Sequence, residues 1–246
     1  QDGCDEHCTY CIIPAVRGPS VSRPMDEIIL QAQRMVDGGY RELALTGVHS
    51  GSYGQESDDG SSLVTLLKRL EPIDGLERIR LNSVEPACVT DELIEFAASP
   101  SKLCRHFHVP MQSGDDQVLK RMGRRYDAAF YSERIHRLFE AVPDCALGAD
   151  IMVGFPGEDD SLFENTVAFT QASGGWILDF LLPLYSTIGC NQYMVVFLDN
   201  EILCRELWFI ANGGNNRTAR VTFGISGLNL LDLIAHDSPA TLFIGK

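Results

Sequence analysis

The sequence has little positive charge and no long apolar run, and both shortages limit its function. It carries 20 Lys and Arg residues against 34 Asp and Glu residues, for a net charge of −14. Because nucleic-acid phosphates are bound by clustered basic side chains, this balance argues against a strong nucleic-acid binder. The best apolar run, residues 176–184, is interrupted by Asp179 and Pro183 and is shorter than the roughly 20 residues that span a bilayer. We therefore expect no association with a membrane.

The chain also lacks the cysteine density of a small secreted disulfide scaffold. Five of its eight cysteines lie singly in apolar segments, as small buried residues often do, and only Cys4, Cys8 and Cys11 are clustered. No basic and apolar leader is present, and the chain opens at Gln1 instead of a methionine. These features predict a cytoplasmic protein and a fragment of a longer chain.

Residues 24–172 alternate between helical periodicity and short β-rich runs, which indicates βα units around a parallel sheet. The cysteine cluster stands where a first strand would end, so we expect that strand to be truncated. The pattern stops near residue 174, which predicts a core domain at 1–174 and a divergent tail at 175–246. The predicted helices are 25–37, 62–70, 91–98, 115–122, 128–141 and 159–173, and the predicted strands are 42–46, 78–82, 106–109 and 145–153.

Cys4, Cys8 and Cys11 follow the spacing Cys-x3-Cys-x2-Cys, which places three thiols in one short loop. Three thiolates can hold three corners of a four-iron cluster and leave the fourth iron free to chelate S-adenosylmethionine (SAM). The alternative is a zinc site completed by His7 or a distant residue. No second cysteine pair follows, as a closed zinc site normally requires, and Tyr10 could border an adenine. The spacing alone leaves both interpretations open.

Five motifs lie along the first part of the chain: GCDEHCTYCIIP at 3–14, LTGVHSGSYG at 45–54, RLNSVEP at 80–86, HVPMQSG at 108–114 and DIMVGFPGE at 150–158. In order and spacing they resemble the motifs of the radical-SAM methylthiotransferases, and the resemblance covers residues 1 to about 172. Within that family the chain most resembles the bacterial branch that modifies N6-threonylcarbamoyladenosine beside the tRNA anticodon.

The resemblance implies an α/β fold, a partial TIM-type (β/α)6 radical-SAM barrel with an irregular C-terminal end. It implies a 4Fe-4S cluster on the three clustered cysteines, SAM, a reducing electron donor, and tRNA bound mostly outside this chain. The implied reaction adds a methylthio group at C2 of N6-threonylcarbamoyladenosine. An auxiliary cluster is expected in a missing N-terminal domain, so the fragment could be inactive alone. The alternatives are a methylthiotransferase for isopentenyladenosine tRNA or a ribosomal protein, and a non-catalytic zinc-binding module.

The motifs follow strands, and in parallel α/β barrels the ligand site lies at the carboxyl ends of the strands. Gly47 would let the backbone approach the amino acid part of SAM, and Glu85 would accept from its ammonium. Gln112 and Ser113 would bond the ribose or carboxylate. No side chain is assigned a catalytic role. The six expected cofactor contacts are Tyr10, Gly47, Glu85, Gln112, Ser113 and Gly154.

Two other groups of residues carry weaker expectations. The run at 185–190 lacks the arginine and threonine that the family has near its last strand, so a disrupted reading frame and a lineage-specific tail both stay open. His106 and His108 are expected to face opposite sides of their strand and to be structural. Local candidates for RNA contact, with a solvated helix end as the alternative, are Lys120, Arg121, Arg124 and Arg125.

Overall fold

The structure is a computed structural model that describes residues 1–172, 177–181, 193–197, 207–208 and 220–221 of the chain. The chain divides into two compact units, Gln1–Phe197 and Leu198–Lys246. The run at 185–190 lies outside the described residues, and the predicted boundary at 174 stays a prediction. Among the described residues, no helix is long and apolar enough to cross a membrane.

Helices alternate with strands through the first unit, as expected for βα units. The helices are α1 (Ile13–Arg17), α2 (Met25–Asp37), α3 (Leu63–Leu70), α4 (Asp91–Ala98), α5 (Asp116–Arg121), α6 (Ala128–Ala141) and α7 (Asp160–Ala172). The strands are β1 (Glu42–Leu45), β2 (Arg78–Leu81), β3 (His106–His108), β4 (Ala146–Met152), β5 (Ile177–Leu181) and β6 (Tyr193–Phe197). In the second unit, β7 (Leu207–Trp208) pairs antiparallel with β8 (Arg220–Val221).

The strands of the first unit lie side by side in chain order. β1 pairs with β2 in parallel, β4 pairs in parallel with both β3 and β5, and β6 adds antiparallel to β5. A parallel bridge between Ile79 and Leu103 extends β2 towards β3, and the Cys104 amide donates to the Ile79 carbonyl over 2.8 Å. Parallel strands in chain order with intervening helices agree with the predicted partial barrel.

Side-chain caps explain where several helices begin. Ser62 caps α3 in a reciprocal capping box with Thr65, Thr90 caps α4, and Asp115 caps α5 by accepting from two backbone amides. The predicted bounds agree with these helices to within two residues. Helix α1 was not predicted, because it is a single turn with no amphipathic repeat.

The two faces of the strands carry different side chains. One face, here called the buried face, is apolar, and its residues pack into the core. The opposite face, here called the polar face, bears charged and hydrogen-bonding groups that contact one another between strands. The buried face includes Leu43, Ile79, Leu81, Phe107, Leu147, Ala149 and Ile151. The polar face includes Glu42, Arg78, Arg80, His106, His108 and Asp150.

One prediction about this sheet is wrong. Residues two apart on a strand point to the same side, so His106 and His108 share the polar face, with buried Phe107 between them. Arg80 and His108 are near enough to His106 to lower its pKa, although burial is the larger cause of that shift.

Candidate functional site

The clustered cysteines lie on one loop, and backbone contacts fix the beginning of this loop. Gly3 has a φ of 68°, and a Cβ there would lie 1.9 Å from the Pro19 carbonyl oxygen, so glycine is required. The Cys4 amide donates to the Gly18 carbonyl over 3.1 Å. These contacts join the loop to the segment after α1. The three cysteines on the loop are Cys4, Cys8 and Cys11.

The other end of the loop is joined to the end of α5. The Thr9 amide donates to the Met122 carbonyl and its hydroxyl to the Arg121 carbonyl, both over 2.9 Å. Gly123 has a φ of 74°, and a Cβ there would lie 2.8 Å from the His7 carbonyl oxygen. The close approach of the loop to this turn therefore needs glycine.

All three loop cysteines are free thiols, with Cys4 and Cys8 partly buried and Cys11 exposed. Burial raises the pKa of the Cys4 thiol despite the hydrogen bond from the Glu6 amide, and the proximity of Glu6, Cys8 and Cys11 adds to the rise. Among the described residues, no three His, Cys, Asp or Glu side chains surround one point closely enough for a single metal ion. Three free thiols on one short loop are a donor set that fits a four-iron cluster, in which each thiolate binds a different iron.

A buried arginine connects this loop to the strand ends. The Arg124 side chain is 5% exposed, and its Nη1 donates to the Cys8 Sγ over 3.1 Å. Its Nη2 donates to the Glu85 carboxylate over 2.5 Å, and its Nε donates to the Tyr126 hydroxyl over 3.1 Å. The guanidinium carbon also lies 5.1 Å from the centre of the Tyr126 ring. Arg124 thus contacts the cysteine loop and the segment after β2 at once.

Arg124 stays charged in this setting. Burial disfavours a charged guanidinium, but Tyr126, Glu85, Tyr10 and Cys8 more than offset it, and the pKa of Arg124 is raised. The basic residues considered for RNA contact therefore differ in their exposure. Arg124 points inward, whereas Arg125 is exposed and pairs with Glu6 over 3.2 Å. Sequence reasoning missed the inward role, because the pairing with Glu85 joins residues 39 positions apart.

A cavity of about 430 Å³ opens beside this group. It is bounded by the cysteine loop, by the 3-10 helices after β1 and β2, and by the turn after α5. Its volume lies in the range of small-molecule sites. Residues that line it include Asp5, Glu6, His49, Glu85, Cys88 and Arg124.

Gln112 has an unusual backbone and a buried side chain. Its φ of 66° is strained for a residue with a Cβ, and two hydrogen bonds of 2.8 Å, to Asp150 and from Met152, hold the backbone there. The residue is 8% exposed, and its Oε1 is buried without a partner among the described residues. A buried acceptor left without a donor costs about 1–3 kcal/mol, and the expected contact of Gln112 with SAM stays a prediction.

Gly47 and Ser113, by contrast, make contacts within the protein. Ser113 is fully buried; its hydroxyl bonds Thr166 over 3.0 Å and accepts from the Asp115 amide over 3.1 Å. The chain approaches Gly47 closely, because a Cβ there would lie 3.0 Å from the Gln1 carbonyl oxygen. Both positions have structural uses, and their expected ligand contacts stay predictions.

Tyr10 of the cysteine loop contacts the turn after β4, and Gly154 belongs to that turn. The Tyr10 ring packs edge-on against Phe155 at 6.2 Å between centroids, and burial raises its pKa. Gly154 has a φ of 77°, and its amide donates to the Glu158 carboxylate over 2.5 Å. The turn therefore needs glycine at this position, and the expected contacts of Tyr10 and Gly154 with adenine are untested.

A hydrogen-bonded chain on the polar face was also missed from the sequence. His108 Nε2 lies 3.1 Å from an Asp150 carboxylate oxygen, and its Nδ1 lies 2.7 Å from the Ser83 hydroxyl. A carboxylate can only accept, so in neutral His108 we assign the proton to Nε2 and the donor role to the Ser83 hydroxyl. The alternation of polar and apolar residues at the strand ends could have revealed this group.

Comparisons with known proteins agree with this architecture. The family model described as the radical SAM superfamily matches residues 1–170. Over 172 residues the chain is 44% identical to threonylcarbamoyladenosine tRNA methylthiotransferase MtaB of Bacillus subtilis, covering 70% of this chain and 38% of that protein. Over 165 residues it is 46% identical to a tRNA-2-methylthio-N(6)-dimethylallyladenosine synthase of Syntrophotalea carbinolica, covering 67% of this chain and 38% of that protein.

A third relative aligns over a longer part of the chain. The dimethylallyladenosine synthase of Thermus thermophilus is 39% identical over 196 residues, or 79% of this chain and 39% of that protein. This alignment reaches past residue 174, where the predicted tail begins. All three relatives are matched over well under half of their own length.

Solved structures share the fold. TsrM of Kitasatospora setae, a radical S-adenosylmethionine methyltransferase solved with cobalamin and a 4Fe-4S cluster, has a TM-score of 0.60 at 17% identity, covering 74% of this chain and 35% of that one. Coproporphyrinogen III oxidase (HemN) of Escherichia coli has a TM-score of 0.51 at 15% identity, and the match covers 76% of this chain and 43% of that one. The predicted α/β, partial TIM-type fold is confirmed.

Proposed function

Because the chain belongs to the radical SAM superfamily, we propose that it is the radical-generating core of a tRNA methylthiotransferase. The proposed reaction adds a methylthio group at C2 of N6-threonylcarbamoyladenosine next to the anticodon. Support comes from curated relatives at 44% and 46% identity, which are named as tRNA-modifying enzymes of this kind. The chain spans 38% of the length of each, so the activity of the whole protein is proposed for it.

We propose that Cys4, Cys8 and Cys11 hold a 4Fe-4S cluster. The observation that carries this is the single loop of three free thiols, joined at both ends to the barrel and contacted at Cys8 by Arg124. When bound, the cluster supplies the electron that cleaves SAM into methionine and a 5′-deoxyadenosyl radical, which takes a hydrogen atom from the substrate. The chain's residues hold the loop, exclude water and position SAM.

The cavity beside the loop is the proposed SAM site. Glu85 can accept from an ammonium, and the buried charge of Arg124 can face a carboxylate. Gln112, with its buried acceptor, and Tyr10, which packs from the cysteine loop against Phe155, do not line this cavity, and their contacts with SAM are proposed in addition. Contacts from Gly47, Ser113 and Gly154 stay part of the proposal.

The tRNA surface is proposed to lie mostly outside this chain. Arg121 donates to the Gly157 carbonyl, Arg124 is buried, and Arg125 pairs with Glu6, so three of the local basic side chains are already engaged. A reducing electron donor and a cytoplasmic location belong to the same proposal.

The first test concerns the cluster. Anaerobic reconstitution of the chain with iron and sulfide should give about four irons per chain, a visible absorption band, and cleavage of SAM to 5′-deoxyadenosine under dithionite. Cys8→Ala should lose cluster and cleavage, whereas the matched Cys145→Ala, on a thiol outside the loop, should keep both. No bound iron in the wild-type chain would refute the proposal. Stoichiometric zinc in a colourless protein would support the binding-module alternative.

The second test separates the two tRNA substrates, since both names occur among relatives of similar identity. Anticodon stem-loops carrying deuterium at C2 of either N6-threonylcarbamoyladenosine or N6-isopentenyladenosine would be mixed with the reconstituted chain, SAM and dithionite. We expect deuterium in 5′-deoxyadenosine from the threonylcarbamoyl substrate. Transfer from the isopentenyl substrate alone would favour the alternative, and transfer from neither would show that this chain by itself acts on neither tRNA.

A further inference from the structure

The cysteines of the loop differ in the hydrogen bonds that their sulfurs receive. The Cys8 Sγ accepts from a charged guanidinium nitrogen of Arg124 at 3.1 Å. The Cys4 Sγ accepts from the neutral backbone amide of Glu6 at 3.4 Å. Charge-assisted hydrogen bonds are shorter and stronger than neutral ones, so Cys8 has the more strongly stabilised sulfur of these two.

The position of Arg124 makes this hydrogen bond persistent. The side chain is 5% exposed, so water screens the interaction little, and electrostatic effects are larger in such an environment. The guanidinium is also held from two other directions, by Glu85 at 2.5 Å and by the Tyr126 hydroxyl at 3.1 Å. Tyr126 is itself anchored, because its hydroxyl donates to the Met111 carbonyl over 2.9 Å.

We propose that Arg124 raises the reduction potential of the cluster through its hydrogen bond to Cys8, and that Glu85 limits this rise. One-electron reduction adds a negative charge to the cluster, which a donor aimed at a ligand sulfur stabilises more in the reduced state than in the oxidised state. This rests on the proposed function, in which Cys8 is a cluster ligand. Arg124 acts here as a tuning residue, through Cys8.

Glu85 provides a second test of the proposal, because its substitution should shift the reduction potential in the opposite direction. Its carboxylate accepts from Nη2 of the guanidinium, whereas Cys8 accepts from Nη1, and it compensates part of the positive charge that the sulfur experiences. Replacing Glu85 with a neutral amide should leave more of the Arg124 charge for Cys8. The two substitutions should therefore move the potential in opposite directions, which a loosened loop would not do.

The experiment is a redox titration of the reconstituted full chain without SAM, with dithionite as reductant and the reduced cluster followed by electron paramagnetic resonance. Arg124→Gln should lower the reduction equilibrium constant about tenfold or more, which is about 59 mV for one electron. Arg124→Lys should lower it less, because the ammonium keeps the charge but cannot bond Cys8, Glu85 and Tyr126 together. Glu85→Gln should raise it. Arg125→Gln, the adjacent exposed arginine, should change it least, because solvent and salt screen that charge.

The outcomes separate this inference from the proposed function. A wild-type chain without iron and sulfide would refute the cluster itself. If the wild-type chain holds the cluster, two results would overturn the tuning role. One is a potential that neither Arg124→Gln nor Glu85→Gln changes relative to wild type, and the other is a shift in the same direction in both variants. If Arg124→Gln fails to hold iron, the reduction potential of Glu85→Gln decides. A potential above that of wild type supports the inference, and a lower or unchanged potential overturns it.

Discussion

Phe107 and His108 are neighbours on β3, and they lie on opposite faces of the sheet. Phe107 is 1% exposed in the core, whereas the His108 side chain is 21% exposed and bonds Ser83 and Asp150. The same division holds on β2, where Ile79 is buried and Arg80 pairs with Glu42. Each of these two strands thus supplies apolar residues to the core on one face and polar groups on the other.

This contrast teaches that core residues and polar, hydrogen-bonding residues alternate along these strands. The buried face contributes through burial of apolar area, at about 25 cal/mol per Å². The polar face contributes little net stability, because its hydrogen bonds replace bonds to water. Substitutions on the two faces should therefore have separable effects.

The largest expected effect on stability comes from the buried face. Phe107→Ala should lower the free energy of unfolding by about 3–5 kcal/mol, because it removes a fully buried ring and leaves a cavity. Urea unfolding followed by circular dichroism measures this. The matched control is His108→Ala on the next residue. It should lower the free energy of unfolding by about 1–2 kcal/mol, because it removes two partly exposed hydrogen bonds. In chains that remain folded, it should impair SAM cleavage more than Phe107→Ala does. Equal stability losses would contradict the division between the faces.

The fold could be predicted from the sequence wherever the determinant is local. Helix α2 has its predicted bounds because Ile28, Ile29, Ala32 and Met35 recur at helical spacing before a Gly-Gly stop, and α4 begins where Thr90 caps it. The single-turn α1 lacked such a repeat. The strands ended one residue earlier than predicted, because ladder pairing decides their ends and side-chain pattern does not.

The site was only partly predictable, because its contacts join distant segments. The three cysteines and Gln112 stand in short motifs that the sequence displays. Arg124 pairs with Glu85 and Cys8 across 39 and 116 positions, which no local pattern reports. For the Ser83, His108 and Asp150 group, the polar and apolar alternation indicates the polar residues, but their hydrogen bonds join positions 25 and 42 residues apart.

A smaller effect is expected at Gln112, where the demands of the site and of the fold conflict. The residue holds a φ of 66° and buries an acceptor without a described partner. Gln112→Gly should therefore be more stable than Gln112→Ala by about 1 kcal/mol, because glycine adopts this backbone without strain. Thermal melting compares the two variants, and both should bind SAM more weakly than wild type in equilibrium dialysis. If the alanine variant were the more stable, the backbone strain would not be real.

The smallest effect is a pH dependence at Glu158, whose carboxylate accepts from the Gly154 and Phe155 amides. Burial raises the pKa of Glu158, despite those bonds. A raised folded-state pKa means that ionisation is disfavoured in the folded protein, so this contribution to stability is complete below the ordinary glutamate pKa and is lost as pH rises through the raised value. Glu158→Gln stays neutral, so its melting temperature relative to wild type should increase from about pH 4 to pH 7. A relative melting temperature that falls over this range would mean that the amide bonds outweigh burial, and that this turn is stabilised by the charge.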